Sequence, residues 1–404
     1  MIYFDYHIRR FSFKEVIMSE KRKDTKGRVL KDGESQRANG SYQYRYTDIK
    51  GKRKYVYAPS LQQLREKEQQ IQKALNNGLD YCAGELTLID LVKKYLAQKA
   101  GMRYNTQVGY NFVLNILEQE DFAYRQIKTI KPSDAKEWFI KMKNDGRRYS
   151  SIQSIRGVVR PAFEMAVEED ILHKNPFAFT LTDVVPDDTI ERRPLTEAEE
   201  KTLLDFIRED KCRSRYYDPV VILLGTGLRI SELCGLTISD LDFTARRIRV
   251  ERQLVRTRHS EYYLEKPKTE SGERYIPMSD EVYHAFKRVL RDRVKPKIEV
   301  VIDGKSGFLF LDKDEKPKVA GHFEHALKRI VDNYNASHLD QLTVTPHVLR
   351  HTFCTKLARA GMPVKELQYL MGHSDVGTTL KIYTHLDYDA AAKSFQKYSS
   401  AVGT

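Results

Sequence analysis

Four short stretches of the chain hold residue types that suit a phosphate. In "GTGLRISEL", Arg229 follows a glycine turn and stands among Leu228, Ile230 and Leu233. An arginine among apolar neighbours needs an anionic partner. Glu232, one helical turn on, could orient it, which is also what a purely structural Arg–Glu pair would look like. In "TPHVLRHTF", Thr345 and Pro346 fit a helix start, and His347 and Arg350 are three apart on one face. The dipole at a helix start favours an anion, so imidazole plus guanidinium suits a phosphate there. Taken singly, each is more often packing or surface. In "EKPKTESGERYIPM", Lys268 is placed at the tip of a hairpin turning through "ESGE", with Lys266 as its rival on the same segment. Such a lysine is usually only solvated, and it matters if the hairpin reaches a bound duplex. In "VKELQYLMGHSDVGTTLKIYTHL", a short amphipathic helix stops at Gly372, His373 follows, and "TTLKIY" carries Tyr383 back toward the same core. The chain has 24 tyrosines, so Tyr383 stands out only through this company.

Other chemistries fail on spacing. "DGKSG" at 303–307 contains GKS, but a phosphate-binding loop needs glycine where Glu299 stands. His322 and His325 lack the HExxH spacing and a third ligand, no acidic cluster suggests a two-metal nuclease, and no GxSxG elbow occurs. Cys82, Cys212, Cys234 and Cys354 are far apart with no CxxC pair, which excludes a zinc ribbon and points to reduced thiols. No cofactor and no metal are expected.

The elements that must position these residues read as a multidomain α+β protein. Residues 1–17 are aromatic but interrupted by Asp5, His7, Arg9 and Arg10, so they read as a flexible extension rather than a signal peptide. Residues 18–82 form a small N-terminal β-sheet and helix domain. Between Met18 and Ser60 there are twelve Lys/Arg against five Asp/Glu, a net of +7. "GSYQYRYTD" and "KRKYVYAP" around "IKG" make a hairpin in which aromatic and basic residues alternate. Tyr42, Tyr44, Arg45, Lys52, Arg53 and Lys54 are its candidate DNA contacts, since a two-stranded ribbon can enter a groove. The alternative is an amphipathic face packed on the helix that follows. Residues 83–182 hold four capped, apolar-striped helices, an all-α domain. Residues 183–194 form a linker. Residues 195–404 are mixed but mainly α, with three strands in "RRIRVERQLVRTR", "EYYLEKPKT" and "ERYIPM" making a small antiparallel sheet.

Composition narrows the partner. The formal net charge is +13 and the pI about 9.3, which predicts a polyanion, nucleic acid by default. The longest apolar run, Val220–Leu224, is far too short to span a membrane, so a cytoplasmic, nucleoid-associated location is expected.

"TGLRISEL", "TPHVLRHTF" and "MGHSDVGTTLKIYTH" together resemble the tyrosine recombinases, and within them the integrases of conjugative transposons. The resemblance runs from about residue 18 to the C-terminus. It implies that Arg229, Lys268, His347, Arg350 and His373 handle the phosphate and that Tyr383 is the nucleophile. It further implies an arm-type DNA-binding domain (18–82), a core-binding domain (83–182) and a catalytic domain (195–404). The chemistry agrees with the residue types. Two guanidiniums neutralise the non-bridging oxygens and the charge that grows on them. A tyrosine with a pKa of about 10 needs help to deprotonate. In the family, His347 would be the base, His373 would hydrogen-bond the phosphate and Lys268 would protonate the departing 5′-oxygen. The expected partners are double-stranded DNA at core-type and arm-type sites, three further copies of the chain in a tetramer, a small excisionase and a DNA-bending protein. The tail "HLDYDAAAKSFQKYSS" could dock on a neighbouring subunit or on its own. Two other readings are a type IB topoisomerase-like enzyme and a non-catalytic architectural DNA-binding protein.

Overall fold

The computed structural model describes residues 22–48, 51–76, 86–189, 193–267, 269–383, 392 and 395–396. The 1–17 extension and the tail beyond Tyr383 lie outside this set, apart from those last three positions. The chain divides into two compact units, residues 1–189 and 190–404.

The first unit holds two separate cores. One is a three-stranded antiparallel sheet, β1 (Glu34–Gln36), β2 (Tyr42–Thr47) and β3 (Arg53–Ala58), covered by α1 (Leu61–Asn76). Side chains alternate across a strand, so Tyr42, Tyr44 and Tyr46 all point inward, against Leu61, Leu64 and Ile71. The β1 strand was not read from the sequence. The other core is helical: α2 (Leu88–Ala97), α3 (Tyr104–Leu117), α4 (Pro132–Asn144) and α5 (Tyr149–Glu168) bury Leu91, Phe139, Ile155 and Phe163. A Thr87–Asp90 capping box starts α2.

The second unit is built around α6 (Glu197–Arg208), α7 (Tyr217–Thr226), α8 (Ile230–Gly235), α9 (Asp280–Asp292), α10 (Ala320–Ser337) and α11 (Pro346–Arg359). Its strands differ from the expected set. The stretch "RRIRVERQLVRTR" is two strands, β5 (Arg247–Val250) and β6 (Gln253–Arg256), in different sheets. Arg252 sits at the break, buried, with its guanidinium on Asp240, Glu251 and Thr237. β5 lies between β4 (Leu241–Asp242) and β8 (Arg274–Pro277), while β6 pairs with β7 (Tyr262–Glu265). The segment from β7 to β8 is therefore a link between sheets and not the hairpin expected around Lys268.

Two short helices, α12 (Val364–Met371) and α13 (Val376–Tyr383), rest on α11 through a small cluster of their own: Cys354, Ala358, Leu367, Met371 and Ile382. Among the described residues, no helix is long and apolar enough to cross a membrane.

Candidate active site

Arg229 owes its place to a helix break. Gly227 ends α7 in the left-handed region at φ 63°, and a Cβ there would lie 2.4 Å from the Phe353 ring. The chain then turns so that Arg229 becomes the N-cap of α8. Glu232 closes the cap from inside. One carboxylate oxygen accepts the Arg229 backbone N–H at 2.9 Å, and the other accepts its guanidinium at 2.7 Å. Glu232 is only 5% exposed, yet the surrounding cations hold it ionised. Burial alone would raise its pKa, but Arg274, then Arg229 and Arg350, outweigh that and bring it to about 2.

Arg350 stands on α11, which opens with Thr345 accepting the Val348 N–H and with Pro346 in the first turn. Arg350 is 7% exposed. Its guanidinium donates to the Gly227 carbonyl at 2.6 Å and to the Met371 carbonyl. Burial, and after it the charge of Arg229, lowers its pKa to about 9, so it stays cationic at neutral pH.

A third arginine shares the site. Arg274, the first residue of β8, donates to both oxygens of Glu232, at 3.2 and 2.9 Å, to the Gly272 carbonyl at 3.1 Å and to the Leu370 carbonyl at 2.7 Å. Arg229 donates to the Gly372 carbonyl at 3.1 Å. Three guanidiniums therefore meet three successive carbonyls, Leu370, Met371 and Gly372, at the C-terminus of α12. Those carbonyls have no partner within the helix, and the negative end of the helix dipole lies there. Gly372 is required by conformation and by space: its φ is 62°, and a Cβ would come within 2.9 Å of the Arg274 guanidinium.

His373 follows directly. Its Nδ1 lies 3.0 Å from the hydroxyl of buried Thr379, which leaves Nε2 for a ligand. Burial, then Arg350, Arg229 and Arg274, pulls its pKa down to about 4, so it is neutral near pH 7. His347 is exposed on the first turn of α11. Lys268 lies outside the described residues, and Lys266 is exposed just after β7.

Tyr383 is not brought to the arginines. It ends α13, packs beside the small cluster under α12, and donates its hydroxyl to the Met362 carbonyl. Burial raises its pKa, and Cys354 and Glu366 add to the rise. Among the described residues no hydrogen bond joins it to Arg229 or Arg350.

The N-terminal candidates split by strand parity. Tyr42 and Tyr44 are 3% and 5% exposed, with hydroxyls engaged internally by Asp24 and Arg28 and by Gln72. Both rings lie in the core between the sheet and α1, off the exposed row of the ribbon. Arg45, Lys52 and Arg53 are exposed and Lys54 is half-buried. The outer row also carries Tyr55 and Tyr57, 46% and 47% exposed, paired in register with Arg45 and Gln43.

Two sequence families match: residues 193–390 fit the phage integrase family, and residues 18–75 fit the DNA-binding domain of Tn916 integrase. The chain belongs to the phage integrase family and is a tyrosine recombinase, a DNA strand transferase. More particularly, it is 44% identical over 394 residues to the transposase from transposon Tn916 of Enterococcus faecalis, covering 94% of this chain and 97% of the relative. The same figures hold for the transposase from transposon Tn1545 of Streptococcus pneumoniae. The solved structure of the Tn1549 transposon integrase in complex with a circular intermediate DNA is 45% identical, with a TM-score of 0.73, over 78% of this chain and 99% of that one.

Proposed function

We propose that this chain is the integrase of a conjugative transposon, which inserts and excises the element by cutting and rejoining double-stranded DNA. The observation that carries the reading is the meeting of Arg229 and Arg350, with His373 beside them, at the end of α12. A phosphodiester entering there would find two guanidiniums for its non-bridging oxygens. Neutral His373 would donate from Nε2 to one of them. Tyr383 would leave the Met362 carbonyl and attack phosphorus, giving its proton to His347. The bond to the 5′-oxygen breaks, and Lys268 supplies the proton that oxygen takes.

The product is a 3′-phosphotyrosine and a 5′-hydroxyl. Bond energy is kept in the ester, so a 5′-hydroxyl from a second duplex reverses the attack without ATP. The arginines take the charge-neutralising role a metal ion plays elsewhere, so we propose that neither metal nor nucleotide is needed. Two such exchanges join two duplexes through a four-way junction, which calls for a tetramer. The outer sheet row of Arg45, Arg53, Tyr55 and Tyr57 would contact arm-type sites, and residues 83–182 the core sites. A small excisionase and a DNA-bending protein would assist.

The test is a nicked core-site duplex that loses the 5′-hydroxyl strand after cleavage, incubated in EDTA without nucleotide. A covalent protein–DNA adduct at Tyr383 is expected. No adduct would leave an architectural DNA-binding role, and relaxation without joined duplexes would leave a topoisomerase.

A further inference from the structure

Arg274 lies in the stretch quoted for Lys268 but was not among the candidates there, yet among the described residues it is the most buried of the site's cations. Its side chain is wholly inaccessible, whereas that of Arg229 is 36% exposed. Four hydrogen bonds tie it to three separate segments: Glu232 on α8, Gly272 in the link before β8, and Leu370 at the end of α12. A guanidinium whose side chain is wholly inaccessible presents no donor to a substrate. It can act only through what it holds.

What it holds is the partner of Arg229. Each oxygen of Glu232 accepts one bond from Arg229 and one from Arg274. Without Arg274, the carboxylate and Arg229 would form a closed neutral pair, with the anion drawing the guanidinium inward. With Arg274, the trio of two cations and one anion keeps a net +1, and the excess lies on its more exposed member, Arg229. The bond to Leu370 adds a second constraint. It fixes the last turn of α12, whose next two carbonyls seat Arg350 and Arg229 and whose following residue is His373.

We propose that Arg274 is a positioning residue for strand cleavage: it balances Glu232 so that Arg229 is free to bind phosphate, and it clamps the end of α12 that aligns Arg350 and His373. The inference rests on the recombinase reading above. The rival is a passive staple between β8 and α12, which would affect how many molecules fold but not how fast each one cleaves.

Single-turnover cleavage of the nicked core-site duplex separates the two, because rate constant and adduct amplitude are read independently. Arg274→Lys keeps the cation and loses the planar fork. It is expected to bind the duplex as the parent does and to cleave about tenfold slower at undiminished amplitude. Arg274→Met removes the cation and should be slower still. Adding Glu232→Gln to it removes the unbalanced anion and should recover about fivefold or more. A parental rate constant in the lysine variant, or a loss confined to amplitude, overturns the proposal. So does a folded methionine variant that Glu232→Gln does not improve. If the methionine variant does not fold, the lysine variant decides alone. If the parent itself forms no adduct, it is the recombinase reading that fails.

Discussion

The arginine platform and the tyrosine segment are held in opposite ways. Arg229, Arg274 and Arg350 stand on elements of the main core and are locked by a buried carboxylate and by backbone carbonyls. Tyr383 stands on an eight-residue helix whose support is a cluster of five buried residues, and its hydroxyl is engaged elsewhere. In the proposed mechanism the half that would bind phosphate is preorganised, and the tyrosine that would attack it is parked. Electrostatic stabilisation gains most from groups that do not move during reaction. A nucleophile that must reach a phosphate, release it and reach it again gains from a light mount.

The sharpest cut through that contrast is Tyr383→Phe. It removes one oxygen and the bond to Met362, so folding and DNA binding should persist while adduct formation disappears entirely. If the phenylalanine variant still yields an adduct, mapping the modified peptide would reassign the nucleophile and the parked role with it.

Next in size is the platform itself. Arg350→Lys or Arg229→Lys keeps a charge but loses the fork, and cleavage should fall by about 10²–10³-fold at little cost in duplex affinity. Near-parental cleavage by both would mean that the two arginines are structural.

A smaller effect tests the mount. Leu367→Ala empties part of the small cluster and should cost roughly 2–5 kcal/mol. The loss should appear in amide exchange as faster opening of residues 364–383, with α7 unchanged. Equal acceleration in α7 would show that the two regions unfold as one and break the comparison.

The smallest concerns His373. Its pKa is about 4 folded, against about 6.5 unfolded. The unfolded chain therefore binds more protons between those values, so stability is fully present above pH 6.5 and is lost as pH falls toward 4. On the order of 2 kcal/mol is expected, allowing for partial exposure. His373→Gln should flatten that part of a urea-denaturation series against pH. An unchanged slope would mean that His373 is not held neutral by the platform.

Much of this site is legible along the chain, because its signals are local. A glycine before Arg229 with Glu232 three residues on, Thr-Pro before His347 and Arg350, and a glycine stop before His373 each mark a helix terminus, where backbone groups and charges collect. What was missed depends on strand parity and pairing. Arg274 and Ile276 alternate with exposed neighbours on β8, so Arg274 faces the core with Ile276. An arginine on the apolar side of a strand was the available signal. The same period of two places Tyr42 and Tyr44 inward and Arg45 outward, which a reading of the ribbon as one continuous aromatic-basic row overlooks. That β7 and β8 belong to different sheets had no local mark, because pairing is decided by distant partners.

The carbonyls at the end of α12 have one more consequence. A carboxylate that holds an arginine cancels its charge, whereas a carbonyl holds it with a dipole and cancels nothing. Among the described residues, three guanidiniums here answer to a single carboxylate, Glu232, which leaves a net of two positive charges on the platform. Oppositely charged backbone would feel that excess before contact, over about 8 Å at physiological salt. Carbonyls do not titrate, so this long-range attraction should hold steady across neutral pH and weaken only as added ions shorten its reach.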